Sequence, residues 1–356
     1  MQIAGLMILC SALGMGTGPV GVSPFPEWKP PGANIAAGRP CDLPIKPNYE
    51  LCSDYGDAAQ LTDGQFSKLA MWHFKPAVGW FGKIIPMIFD LGEVKPIAGV
   101  GFSTEQNGGA GVGAPPSILI LVSDDGQNYK IAGELVSLAS KFGPPPRGDA
   151  RFWLRTDELK THGRYVQMVV PSSVFVMVDE VEIYEGPASL LQETIPGEPI
   201  PKPIDYVRAN KTAYAVNARI AADAARCLQL TAGLTMPTAT REQVVEKLEQ
   251  LRQEAVASAV KTYDQDFRAI VPLNDKHAEV FAALGPALQA AGFQEFFVWH
   301  RNRWQRQGPF DLPVNPDPGK QVVDLPTVEL DISLLQNDRR GEVICPAPDE
   351  TGISMG

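Results

Sequence analysis

The feature that most constrains this chain is a succession of short apolar or alternating segments between residues 84 and 184, each closed by turn residues. An apolar run over 84–91 contains one charge, Asp90, and ends at Gly92. Ser117-Ile-Leu-Ile-Leu-Val-Ser123 leads into Asp124-Asp-Gly-Gln-Asn128, which has the composition of a hairpin turn. Arg164-Tyr-Val-Gln-Met-Val-Val170 and Val178-Asp-Glu-Val-Glu-Ile-Tyr184 follow. That pattern predicts a single antiparallel sandwich. The strands expected are 84–91, 97–103, 117–123, 129–135, 152–154, 164–170 and 174–184.

Around this block the sequence changes character. Residues 1–18 are apolar then small, of signal-peptide length and too short to span a bilayer, although no Lys or Arg precedes the apolar run. They predict export, to a secreted, periplasmic or cell-surface location, with no membrane span in the mature chain. Pro-rich stretches at 19–33 and 187–203 read as linkers on either side of a sandwich at 34–186. From residue 204 the apolar period lengthens from 2 to about 3.6. Tyr206, Ala209, Ala213, Val216, Ile220 and Ala224 share one helical face, and Thr238-Ala-Thr240 with Gln243 offers a cap for a second helix. A third segment at 278–291 contains Gly285-Pro286, which is expected to break or kink it. Residues 204–294 therefore read as an α-helical spacer. Residues 295–356 alternate again, at 296–304, 321–325, 328–334 and 342–345, as the first strands of a further, incomplete β-domain. The fold class expected is multidomain and mainly β: a jelly-roll sandwich, a helical hairpin or bundle, then a second β unit, as the front part of a longer protein.

The net charge of −10 argues against nucleic acid, whose phosphates need clustered Lys and Arg, and against anionic lipid. Five cysteines suit an exported chain with few bridges. Cys41 and Cys52 bracket a loop that a disulfide is expected to close, the alternative being two buried thiols. Cys227 falls in a helix and reads as core. The four histidines (His73, His162, His277 and His300) form no H-E-x-x-H, and no G-x-S-x-G is present. The glycines of 99–113 lack the G-x-G-x-x-G spacing of a dinucleotide loop. Neighbouring carboxylates such as Asp124-Asp125 do not face each other across a cleft as a glycosidase requires. The chain is read as non-catalytic.

Leu61-Thr-Asp-Gly64, Trp72, Asp90-Leu-Gly92, the Ser117–Tyr129 segment, Arg164-Tyr-Val166 and Val178–Gly186 occur in an order and spacing that resemble the discoidin domain, also called the coagulation factor 5/8 type C domain, with the family 32 carbohydrate-binding modules among its relatives. The resemblance covers residues 34–186 and implies a galactose-binding-like jelly roll. It also implies a structural Ca²⁺ near the Asp-Gly turn, held by Asp63, by turn carbonyls and by a Glu of the last strand. Glu182 is the matching position. Glu180 lies on the same strand face, so the sequence alone does not choose between them.

In that family, ligand binds on loops at one end of the sandwich. The matching loops here are 72–80, 104–114 and 141–151. A sugar needs an aromatic ring for its C–H face and planar or charged groups for its hydroxyls. Trp80 is the candidate ring, with Trp72 and Phe142 beside it. His73, Glu105, Gln106, Asn107, Arg147 and Arg151 are the candidate polar contacts. Trp72 has core packing as its alternative. The cluster His300-Arg-Asn-Arg-Trp304 with Arg306 reads either as an anion site or as glue between the helices and the next domain. The partner expected is a glycan or cell-surface polysaccharide, with any hydrolase or lyase activity in a C-terminal catalytic domain. The alternative is a module that packs against a catalytic domain or a surface partner without binding sugar. Exposed aromatics in the loops favour the first; buried ones favour the second.

Overall fold

The computed structural model describes residues 23–146, 148–172, 174–260 and 270–290, and four short strands beyond them. Alternating segments that cannot bury both faces alone pair into one antiparallel system. It comprises β1 (Cys41–Asp42), β2 (Val78–Phe81), β3 (Ile84–Gln106), β4 (Leu119–Ser123), β5 (Lys130–Glu134), β6 (Ala150–Thr156), β7 (Thr161–Pro171) and β8 (Phe175–Glu185). The order is β2-β8-β3-β7-β4-β5, with β1 and β6 both on β3.

The runs expected at 84–91 and 97–103 are one 23-residue strand, β3. Its first half pairs with β1 and β7, its second with β6 and β8. The register against β7 slips between Asp90 and Lys95. Gly92 sits in that slip at φ 85°, a conformation that a missing Cβ makes cheap. The lone charge of the apolar run fixes the irregularity. Asp90 accepts from the Gly92 N–H at 2.8 Å and from Arg164 Nε and Nη2, each at 2.8 Å. Hydrogen bonding from Arg164 draws its carboxyl down to about 2.

Because β3 belongs to both layers, the system folds over on itself as a sandwich. Val78, Trp80, Val100, Phe102, Val176, Val181 and Ile183 of one layer meet Ile85, Met87, Phe89, Ile120, Val122, Val166 and Met168 of the other. The mainly β class is as expected. A short helix α1 (Asp57–Gln60) precedes β2, and α2 (Leu135–Ala139) follows β5. Glu134 caps α2, accepting from the Val136 and Ser137 N–H groups and the Ser137 hydroxyl. Burial raises its carboxyl to about 7.

The helices α3 (Pro203–Ala232), α4 (Thr238–Ala259) and α5 (Val271–Ala290) do not stand off as a spacer. Leu119, Leu121, Ile131 and Val169 point away from the sandwich interior and share a second core with Val207, Val216, Ile220, Leu228, Leu248, Leu251 and Phe281. The helices are a third layer on the β7–β4–β5 sheet. The expected cap at 238–240 does not form: Thr238 is the first helical residue and Pro237 precedes it without a side-chain cap bond. Helix α5 runs on through Pro286.

The linkers are also laid down on the fold. Ile200 N–H donates to the Tyr129 carbonyl at 2.6 Å, and Lys130 Nζ to the Ile195 carbonyl at 3.0 Å, covering the β5 edge. In the first linker, Trp28 packs at 5.0 Å from Phe142 and 5.6 Å from Tyr184. The Cys41–Cys52 bridge is not formed. Both thiols are free and buried, Cys41 in the sandwich core and Cys52 in a separate cluster with Met71, Ala77 and Met177. Cys227 is core, as expected. The single strand expected over 296–304 is a hairpin of β9 (Phe296–His300) and β10 (Arg303–Gln307), and β11 (Val343–Pro346) pairs with β12 (Gly352–Met355). The leader at 1–18 and the strands expected at 321–325 and 328–334 lie outside the described residues. Among the described residues no helix is long and apolar enough to cross a membrane.

His277 of α5 is fully buried, its ring 4.8 Å from Phe281. Its nearest carboxylate, Asp223 at 3.9 Å, is already paired with Arg219 at 2.8 Å. Burial, then the Arg219 charge, pushes the imidazole down to about 3. The folded state therefore holds His277 neutral while the unfolded chain takes up a proton below about 6.5. Stability is complete above that pH and is lost as pH falls from about 6.5 toward 3, by about 1.4 kcal/mol per unit at most. Urea denaturation at pH 7 and pH 5 is expected to show a larger drop for the native protein than for His277→Gln.

Candidate functional site

Three loops meet at one end of the sandwich, and a buried carboxylate joins two of them. Glu105, at the end of β3, is fully buried and accepts from the Met71 N–H at 2.7 Å. Burial raises its carboxyl, opposed by the backbone donors of Met71 and Ala70. Ala70 has φ 67°, the one non-glycine among the described residues in the left-handed region. Such a conformation costs of order 1–3 kcal/mol and persists only where neighbours impose it. Here it turns the chain into the 3-10 turn Met71–His73. Trp72 is half-buried, and its ring lies 5.4 Å from that of the exposed His73.

The other loops are fastened to each other. Gln106 Nε2 donates to the Gly148 carbonyl at 3.1 Å, and the Gly108 N–H donates to Asp149 at 3.2 Å. Asn107 accepts from the Ala110 N–H at 3.2 Å and bridges to Val112, so its side chain builds the 107–112 turn. The structure thus brings His73, Gln106 and Asn107 to one end, with Trp72 as their aromatic neighbour. Arg147 lies outside the described residues.

Glu105, also expected as a contact, is turned inward to the Met71 N–H, and two further expected contacts are placed elsewhere. Trp80 is fully buried in the sandwich core, its indole N–H donating to the Ile45 carbonyl at 2.9 Å. It faces Val176 across the β2–β8 pair, and alternation along β2 sends it inward. It offers no face to a sugar. Arg151 is committed to the fold: Nε donates to Asp179 at 3.0 Å, and Nη2 to Ser103 at 2.9 Å and Asp179 at 3.3 Å. Asp179 is fully buried, so removing this arginine would leave an uncompensated charge in the interior.

The Asp-Gly turn selects between the two glutamates. Glu182 accepts from the Tyr184 hydroxyl and lies 3.8 Å from Arg155, away from the turn. Glu180 is the residue that reaches it, accepting from the Gly64 N–H at 2.9 Å. The bond from the Val181 N–H to the Leu61 carbonyl at 2.7 Å sets the turn beside Glu180. Burial, with Glu182, Asp63 and Asp179 nearby, raises the Glu180 carboxyl to about 8. A buried carboxylate crowded by other acids fits a hard cation, which takes oxygen ligands including turn carbonyls. Leu61 O is already used by the Val181 N–H at 2.7 Å, and Asp63 accepts from Gln65 N at 2.8 Å and Nε2 at 3.1 Å. Among the described residues no three His, Cys, Asp or Glu side chains converge as a metal cluster.

No protein-family model matches the chain, and no curated protein does. Solved structures to which it is similar include the module CpGH89CBM32-6 of Clostridium perfringens, at 19% identity over 43% of this chain and 100% of that one, TM-score 0.29. A Streptococcus pneumoniae fucose binding module is similar at 16% identity over 45% of this chain and 99% of that one, TM-score 0.30. The lectin binding domain of Lectinolysin, complexed with Lewis b, is similar at 13% identity over 45% and 100%, TM-score 0.31.

Replacing Glu105 with Ala strands the Met71 N–H. A loss of roughly 1–3 kcal/mol is expected in urea denaturation, with faster amide hydrogen exchange across residues 70–74.

Proposed function

We propose that this chain is a non-catalytic glycan-recognition module whose primary site is the loop end carrying His73, Gln106 and Trp72. The observation that carries this reading is the clamp at Glu105. A strained backbone at Ala70 and a buried carboxylate together hold an exposed imidazole and a half-buried indole beside the amide-rich 106–111 loop. Fixed aromatic surface with a few planar polar groups is what a pyranose requires, and prior fixing lowers the entropy lost on binding. Export, and a catalytic domain elsewhere in a longer protein, belong to the same reading.

A calcium ion with a structural role is part of the proposal. Asp63, Glu180 and carbonyls of the turn would hold it, with Glu180 in place of Glu182. The ion would neutralise a crowded acidic corner and fix the turn to β8.

A glycan array of the whole chain is expected to give specific binding that His73→Ala reduces at least about tenfold, the equivalent of about 1.4 kcal/mol. Absence of binding by folded protein across neutral and acidic glycans would remove the reading. Millimolar Ca²⁺ is expected to raise the melting temperature relative to EDTA, and Glu180→Gln to abolish that difference. Equal melting curves for the native protein in both would remove the calcium.

A further inference from the structure

Among residues 23–290 whose side chains are described, the exposed rings of Phe, Tyr and Trp are Tyr55 and Phe66. Neither lies in the loops considered above. Phe66, 51% exposed, follows the Asp-Gly turn and lies over the outer face of the β8–β3–β6 layer. Its ring meets Trp153 edge-on at 6.0 Å, and the Arg151 guanidinium stands 5.0 Å from its centroid.

The sequence of that face explains the arrangement. Arg151, Trp153 and Arg155 alternate on one side of β6. Opposite them on β3 stand Glu105, Ser103 and Gly101, and opposite Gly101 on β8 stands Glu182. Gly101 keeps the floor low: a Cβ there would lie 3.1 Å from Trp153 Cζ3 and 3.2 Å from Glu182 Oε2. Arg155 stacks 3.9 Å from the Trp153 centroid and 5.3 Å from that of Trp28, closing the far end. The result is a shallow face with an exposed ring and a second, half-buried ring at its side, the latter laid down over the buried Gly101.

Both arginines of this face are paired, and Glu180 is a further acid beside them. Arg151 is paired with Asp179, and Arg155 lies 3.8 Å from Glu182. Arg151 Nη1 and the partly exposed carboxylate of Glu182 are the donor and acceptor left beside the rings. An aromatic surface with one donor and one acceptor, where carboxylates outnumber arginines, suits the C–H face of an uncharged sugar better than a uronate.

We propose that the outer face of the β8–β3–β6 layer is a second glycan subsite, with Phe66 as the stacking platform, Trp153 as its side wall, and Arg151 and Glu182 as hydroxyl partners of a neutral pyranose. This rests on the glycan-recognition reading but not on the loop end. The site is built by the sheet face, so it takes a sugar unit independently of His73.

The test titrates galacto-, gluco-, manno- and xylo-oligosaccharides into the whole chain by calorimetry, for the native protein, His73→Ala, Phe66→Ala, Phe66→Trp and the double alanine variant. His73→Ala is expected to keep one binding event, which the additional Phe66→Ala change weakens about tenfold or more. Phe66→Trp is expected to retain it, which separates loss of the platform from loss of fold. If the double variant binds as His73→Ala does, or if His73→Ala alone abolishes all binding, the face subsite is overturned while the loop-end reading stands. If no oligosaccharide binds the native protein, both fall together.

Discussion

The β7–β4–β5 sheet buries apolar side chains on both of its faces, and the rest of the molecule is arranged to satisfy that. Ile120, Val122 and Met168 face the sandwich interior, whereas Leu119, Leu121 and Val169 face outward. A sheet in an ordinary sandwich leaves its outer face to water. Here that face is covered by α3, α4 and α5, which have their own apolar stripes to bury. Val256 of α4 packs against the sandwich core itself. Neither the sheet nor the helices can shed this surface separately without exposing a large apolar area.

That coupling reaches the candidate site. The segment after α2 is held to the helices by Arg252 Nη1, which donates to Ser140 at 3.2 Å in a buried contact, and by Arg226, which donates to the Pro145 carbonyl. A few residues further on, Gly148 and Asp149 receive the 106–108 loop. The helical layer thus braces one wall of the loop end from behind. The other wall is braced from beneath by Glu105 through Met71. Groups that would recognise a ligand therefore sit on loops tied at both ends to packed structure, the condition for small losses of entropy on binding.

Much of this was legible in advance. Strand positions followed from alternation and turn residues, and the helical stretch from its longer period. The third layer was visible in principle. Residues 118–122 are continuously apolar with no alternation, which is the mark of a strand covered on both faces. What failed to be legible were side-chain directions. Trp80 resembled a binding ring because it lies near a loop, but alternation within β2, a strand not expected from the sequence, sends it into the core. Phe66 carried no signal beyond following a turn. Glu180 and Glu182 share a face of β8, and only the docking of Leu61 on the Val181 N–H decides which one meets the Asp-Gly turn. Cys41 and Cys52 have bridging spacing, yet they pack into different clusters.

By itself, the sequence determined the principal strands and helices and their order, the net acidic charge and the absence of recognisable catalytic spacing. Each of these depends on residues near one another in the chain, where period, turn chemistry and charge act directly. Tertiary structure decided which apolar faces meet, which carboxylate reaches the turn, and which aromatic rings stay in water. Those outcomes depend on register between strands distant in sequence, and a slip of one residue reverses every side chain along a strand.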